Sequence, residues 1–436
     1  MDYKKEVVEK IKEEIDSNKL IAKCRINEKD FIRNRKVTPK DIILYEFNKR
    51  GLSKKMEIIN FNNINDVQEI SSPGLFKQRE KLNPEVFVYL QQITLKNFYI
   101  DHSNEVKTYK GYVLKAVDGS DYEIPNTKRA REKFNGNQQQ QCARVTVSTC
   151  YDVLNKYSID TIVESYDYSE IEMLVEHEKT IKEKELLGAF KSITMADRNY
   201  KSLSYFYNKI KNNEKFIIRI ASSCYKNETK KMKSNDEVIG IEYEYNRARY
   251  YKNSDPELYE YLKNGNTIKL RCVKIQLDTG EMEYVLTNLE INEFPTEEIK
   301  ELYNLRWKIE VNYRHLKNNV KIECITSSKE VLIKQDIFSQ VLVTNILQAF
   351  LNDGDKIVNE YKYKNKVKIN GNMAIGLLKN TLIYIFLEDH LDKRSELFDK
   401  FYEAMMKFIV PIKPGRKNPR KTNPKNRYHI NQRKTF

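Results

Sequence analysis

Apolar residues return every three to four positions through the first hundred residues, the spacing that gives a helix one buried face. "KKEVVEKIKEEI" (4–15), "TPKDIILYEFNKRG" (38–51) and "NPEVFVYLQQITL" (83–95) carry this pattern. The second has Thr38 as N-cap, Pro39 in the first turn and Gly51 as stop. "SSPGLFKQREKL" (71–82) reads as a turn entering a short basic helix, either an ordinary solvated helix or the second helix of a helix-turn-helix. From about residue 110 the period falls to two. "YVLKAVDG" (112–119), "ARVTVSTCYDV" (143–153) and "YSIDTIVESY" (157–166) predict a three-stranded antiparallel meander. Ser169 and Glu172 then form a capping box for a helix. After it, "FKSITMAD" (190–197) and "KFIIRI" (215–220) are strands flanking the helix "SLSYFYNKIKNN".

Three antiparallel strands, then helix, strand, helix, strand, is the order of a ribonuclease-H-like α/β core. Residues 221–290 return to alternating runs ("EVIGIEYEY", "TIKLRCVKIQL", "EMEYVLTNL") and predict a β-rich insertion. "YNLRWKIEVNYRHLK" (303–317) follows as a helix, and "IFSQVLVTNILQAFL" (337–351) as a mostly apolar helix suited to the interior. "QQQQ" (138–141) is a loop, and no internal repeat is present. From Pro411 the chain carries nine Lys or Arg, no acid and four of its ten prolines, which predicts a poorly ordered basic arm.

Composition narrows the partners. Of 436 residues, 77 are Lys or Arg and 62 are Asp or Glu, a formal net charge of +15 that attracts polyanions, nucleic acid first among them. Six cysteines without CxxC spacing and five scattered histidines argue against a zinc site or a disulfide framework and fit a reducing compartment. The N-terminus has no apolar h-region, and no run approaches the roughly 20 apolar residues of a membrane span, so the expectation is a cytoplasmic protein with no membrane partner.

Candidate chemistry rests on three carboxylates. Asp118 and Asp197 end the strands "YVLKAV" and "FKSITMA", where each alone is an ordinary turn former. A meander extended by a crossover brings those two strand ends side by side. In the helix 303–317, a spacing of 100° per residue puts Arg306, Glu310, Arg314, Lys317 and Lys321 within about 80° of one another. Glu310 is also four residues from both Arg306 and Arg314, the geometry of solvated ion pairs. Cutting a phosphodiester needs charge stabilisation on attacking and leaving oxygens, which two Mg²⁺ ions about 4 Å apart supply. Such hard ions take oxygen ligands, so three carboxylates from separate elements suit them, with neighbouring cations gripping the phosphates.

Tyr303, Arg306, Glu310 and Lys317, with gaps of two, three and six residues, resemble the Y-R-E-K signature of cut-and-paste DDE transposases from bacterial insertion sequences. "AVDGS" is similar to that family's first aspartate motif. "MADRNYKS" is similar to its second, with Asn199 where glycine is frequent, a position whose left-handed backbone asparagine tolerates. The resemblance covers roughly residues 70 to 350. It implies Asp118, Asp197 and Glu310 as metal-binding triad for two Mg²⁺ ions, with Mn²⁺ as a substitute. It implies DNA contacts from Tyr303, Arg306 and Lys317, with Arg314, Lys321, Arg198 and Trp307 as further candidates. Arg219 is a phosphate contact or a surface ion pair, Tyr200 a packing residue, and Trp307 a packing or base-stacking residue. The implied organisation is a helical DNA-binding region (1–105), a catalytic domain (106–350) with its insertion at about 221–290, a helical C-terminal region (351–410) and the basic tail. The implied function is a nucleoid-associated transposase that binds inverted repeats as a homodimer on paired ends, cuts through a hairpin and joins 3′ ends to target DNA. A non-catalytic DNA-binding relative or inhibitor, and a related nuclease or integrase, are the competing readings.

Overall fold

Eight strands make one mixed sheet, in the order β3-β2-β1-β4-β5-β8-β7-β6, in a computed structural model that describes residues 2–33, 35–64, 69–135, 142–276, 282–361 and 363–412. β1 (Tyr112–Glu123), β2 (Arg144–Asp152) and β3 (Ser158–Ser165) are the antiparallel meander. β4 (Lys191–Ala196) lies parallel to β1, and β5 (Lys215–Ile220) parallel to β4, each reached through a helix. An antiparallel triplet continued by two parallel crossover strands is the ribonuclease-H-like α/β core. The runs at 138–141 and 413–436 lie outside the described residues.

The strands of the 221–290 stretch do not stand apart. β6 (Asp236–Ile241), β7 (Ile268–Gln276) and β8 (Met282–Thr287) continue the same sheet, because β8 pairs antiparallel with β5 from Ile217↔Thr287 to Ile220↔Tyr284. Short helices between β6 and β7 complete the insertion.

Helices pack around this sheet as their patterns require. The predicted Thr38 cap is a full capping box with Asp41, and helix Pro39–Asn48 follows. Ser169 accepts from the Glu172 amide at 3.5 Å to start helix Glu170–Glu183. That helix is bound to the sheet by a buried chain in which His177 Nδ1 meets Asp160 at 2.6 Å and His177 Nε2 meets Ser148 Oγ at 2.9 Å. The run 337–351 lies inside helix Glu330–Val358, 29 residues long and buried over most of its length. It packs against the N-terminal helices Tyr3–Asp16, Pro39–Asn48 and Glu85–Lys96, so one continuous apolar core joins both helical regions to the sheet.

The short basic helix differs from its expectation as a solvated element. In Ser72–Arg79 the guanidinium of Arg79 is fully buried, 2.6 Å from both Glu46 and Asp336, with Lys49 a further 2.6 Å contact of Asp336. Sequence patterning alone does not show this, because the carboxylates come from two other helices, Pro39–Asn48 and Glu330–Val358, the second 257 positions on.

A second buried cation closes the C-terminal side. Lys379, on helix Gly371–Leu387, donates to Gln340 Oε1 at 2.7 Å and to the Val320 carbonyl at 3.2 Å. Burial, helped by Lys49 and Arg50 against the opposing Glu57 and Cys324, pulls its ammonium down to about 7. Between that value and the ordinary lysine pKa of about 10.4, the unfolded chain holds a proton that the native state has released. Stability therefore rises with pH across this window, by up to about 1.4 kcal/mol per pH unit, and levels off below it. Lys379→Met is expected to flatten that rise, measured as the difference between wild-type and variant urea unfolding curves from pH 6 to 10.

No helix among the described residues is long and apolar enough to cross a membrane.

Candidate active site

Strand register sets the first two carboxylates. The β1–β4 ladder ends at Ala116↔Met195, so two residues further on Asp118 and Asp197 leave the parallel pair at the same level. β1 does not end at Asp118 as its sequence suggests. It stays paired to β2 through Glu123↔Arg144, with Asp118 opposite Thr149, so the aspartate lies where the strand loses one partner and keeps the other. Asp197 caps the 3-10 turn Arg198–Tyr200 by accepting from the Asn199 amide at 2.8 Å. Asn199 lies within this right-handed turn and not in a left-handed backbone, so glycine's conformational freedom is not needed here.

The third carboxylate arrives on an interrupted helix. Helix Thr296–Leu305 stops, Arg306 and Trp307 turn through three-residue bonds to Tyr303 and Asn304, and helix Lys308–His315 resumes. A π turn, Leu316–Val320, follows, and Lys321 is left-handed at its end. There it packs on Gly51, where a Cβ would meet the Lys321 Cβ at 2.4 Å, so the predicted stop glycine is also required by close approach. These breaks displace the single stripe constructed from a regular helix.

Arg306 is the hub of what results. It is 4 % exposed, 3.2 Å from Glu310 and 3.8 Å from Asp118, with its guanidinium over the rings of Tyr303 and Trp307. Burial pushes the Asp118 carboxyl up to about 7, with Asp197 and Glu310 adding to it and Arg306 opposing. Burial would pull the Arg306 guanidinium down, but Tyr303, Asp118, Glu310 and Asp197 outweigh it and hold it above its usual range. All three carboxylates thus share one local field. They do not close into a cage: among the described residues, no three acidic, His or Cys side chains are disposed to hold an ion. Three half-buried carboxylates against one arginine are nevertheless an all-oxygen, net-negative donor set of the chemistry a hard divalent cation takes.

The other signature residues divide by exposure. Tyr303 is buried. Lys317 donates to the Asp121 carbonyl at 2.6 Å, pairs with Glu323 and covers the Tyr122 ring, so it braces the end of β1. Trp307 is 39 % exposed. Arg314 and Arg198 are exposed, and Lys321 is half-buried. Arg219 pairs with Glu283 across the β5–β8 joint, and Tyr200 is buried.

Two nearby residues escape a linear reading. Glu170 opens its helix beside Asp197 and Asp121, and burial together with those acids pushes its carboxyl up against the hydrogen bond from Asn199. Tyr313 hydrogen-bonds to the Asp118 carbonyl. The only sequence signal for Tyr313 was its place one turn after Glu310.

The model for the Transposase DDE domain family matches residues 109–346, which contain all three carboxylates. A putative transposase, InsL, of insertion sequence element IS186A from Escherichia coli strain K12 is 31 % identical over 93 residues, 21 % of this chain and 24 % of that protein. The transposase of insertion sequence element IS421 from Escherichia coli matches to the same extent. The chain therefore aligns with about a quarter of the length of these relatives. A piggyBac transposase synaptic complex with hairpin DNA shares 9 % identity at a TM-score of 0.46, covering 96 % of this chain and 88 % of that one. The fold assignment stands on strand order and not on that likeness. With the family match spanning more than half of the 436 residues, the chain belongs to the Transposase DDE domain family.

Proposed function

We propose that the protein binds the terminal inverted repeats of its element as double-stranded DNA, cuts them by metal-dependent phosphodiester chemistry through a hairpin, and joins the 3′ ends to target DNA. The observation that carries this reading is that Asp118 and Glu310, from a strand and a helix, lie 3.8 and 3.2 Å from the single guanidinium of Arg306, with Asp197 following β4 at the level of Asp118. Asp118, Asp197 and Glu310 would hold two Mg²⁺ ions, or Mn²⁺ in their place. Bound there, the ions would supply an activated water or 3′-hydroxyl and stabilise the leaving oxygen. Arg306 neutralises the carboxylates from the protein side, and Tyr303 and Trp307 hold its plane. Arg198 and Arg314 extend from the rim toward solvent, where they can bind phosphate. The acting form is a homodimer on paired ends, and the cellular site is the nucleoid.

Purified protein with Mg²⁺ and the DNA bordering its own gene should yield nicked and then hairpin ends, and chelation should stop both. A band shift without cleavage in Mg²⁺ or Mn²⁺ would instead mark a non-catalytic DNA-binding relative, the reading favoured by carboxylates already engaged by Arg306. Replacing Arg198 or Arg314 by alanine is expected to weaken binding uniformly across sequences. Each should reduce the slope of log K against log salt by about one, read from end-binding titrations at several salt concentrations.

A further inference from the structure

Tyr313 lies one helical turn after Glu310 and is buried, with its hydroxyl 2.6 Å from the Asp118 carbonyl oxygen and 3.2 Å from that of Val147. A phenol has one proton to donate. The shorter contact takes most of it, at the peptide that carries the first carboxylate. β1 needs such a hold there, because beyond Ala116 it has lost β4 and keeps only β2. Ser148 Oγ reaches the same carbonyl only at 3.4 Å, a weak contact.

We propose that Tyr313 is a positioning residue that fixes the separation of the Asp118 and Glu310 carboxylates by tying the Glu310 helix to the Asp118 peptide. The inference rests on the metal-carboxylate reading above. Helix and strand meet through residues 195 positions apart. Lys317 to the Asp121 carbonyl and Arg306 to the Asp118 carboxylate are the neighbouring links, and of these three only the Tyr313 bond reaches the Asp118 carbonyl. Without it the helix keeps its apolar packing through Ile309 and Leu316 and the flanking lysine contacts to Val153 and Asp121, but loses its hold on the Asp118 peptide itself. Misplacement on the scale of 1 Å is enough to lower a rate on the order of 10²-fold.

Full-length wild type, Tyr313→Phe and Asp118→Asn separate the possibilities when Mn²⁺ binding is followed by the resonance of the free ion, alongside end binding, metal-free melting and single-turnover cleavage. Tyr313→Phe should bind Mn²⁺ about tenfold more weakly, the range for a lost bond behind a metal ligand. It should cleave on the order of 10²-fold more slowly, with end binding and metal-free melting unchanged. Unaltered Mn²⁺ binding in Tyr313→Phe overturns the proposal, as does a joint collapse of melting temperature and end binding, which would make the hydroxyl general structural support. If Asp118→Asn binds Mn²⁺ as wild type does, the metal-carboxylate reading itself fails, whatever Tyr313 does.

Discussion

Glu310→Gln is expected to lower end cleavage by on the order of 10³-fold or more, about 4 kcal/mol of barrier, while end-DNA binding stays within a factor of a few of wild type. The substitution preserves shape and leaves an amide oxygen to accept from Arg306, which already bonds to this side chain at 3.2 Å. It removes the negative charge, and a neutral amide holds a divalent ion far less well than a carboxylate. Asp118→Asn should behave alike. Gel separation of cleaved from bound end DNA reads both quantities in one experiment, and a Glu310→Gln protein that still cuts at the wild-type rate would remove Glu310 from the reaction.

A comparably large effect on stability is expected from Arg79→Met, about 3–5 kcal/mol of destabilisation. Arg79, Lys49, Glu46 and Asp336 form a buried set of two cations and two anions at the junction of helices Pro39–Asn48, Ser72–Arg79 and Glu330–Val358. Burial alone would raise the Asp336 carboxyl, but Lys49 and Arg79 hold it well below the usual range. Removing Arg79 leaves two buried carboxylates facing one lysine. It also removes stacking on Tyr45 and Phe76. Adding Glu46→Gln restores charge balance and should recover part of the loss, so urea unfolding of the single and double variants distinguishes charge imbalance from lost packing. Recovery of nothing would show that packing dominates.

The core sheet was legible because its signals are local. Period-two runs with turn residues between them specify the meander, and a helix between two such runs specifies the parallel crossover to β4. Asp118 and Asp197 are level because β1 and β4 are parallel neighbours, which topology alone requires. The helix around Glu310 was only partly legible. Apolar spacing passes smoothly through Arg306 and Trp307, so nothing in the pattern marks the break there, the π turn after His315 or the left-handed Lys321. Tyr303 and Arg306 consequently face inward, where a regular helix would have aligned them with Arg314. The buried sets around Arg79 and His177 were not legible at all. Their members come from three elements each, and a lone Arg, His or Asp carries no trace of a partner on another element, whether 17 positions away, as Asp160 is from His177, or 257, as Asp336 is from Arg79.

The antiparallel joint between β5 and β8 has a mechanical consequence. Backbone ladders run without a gap from β3 at one edge to β6 at the other, so the region between β6 and β8 cannot swivel independently of the strand that ends in Asp197. A displacement of that outer half is therefore transmitted as twist through the eight-strand plate toward the strand that precedes Asp197.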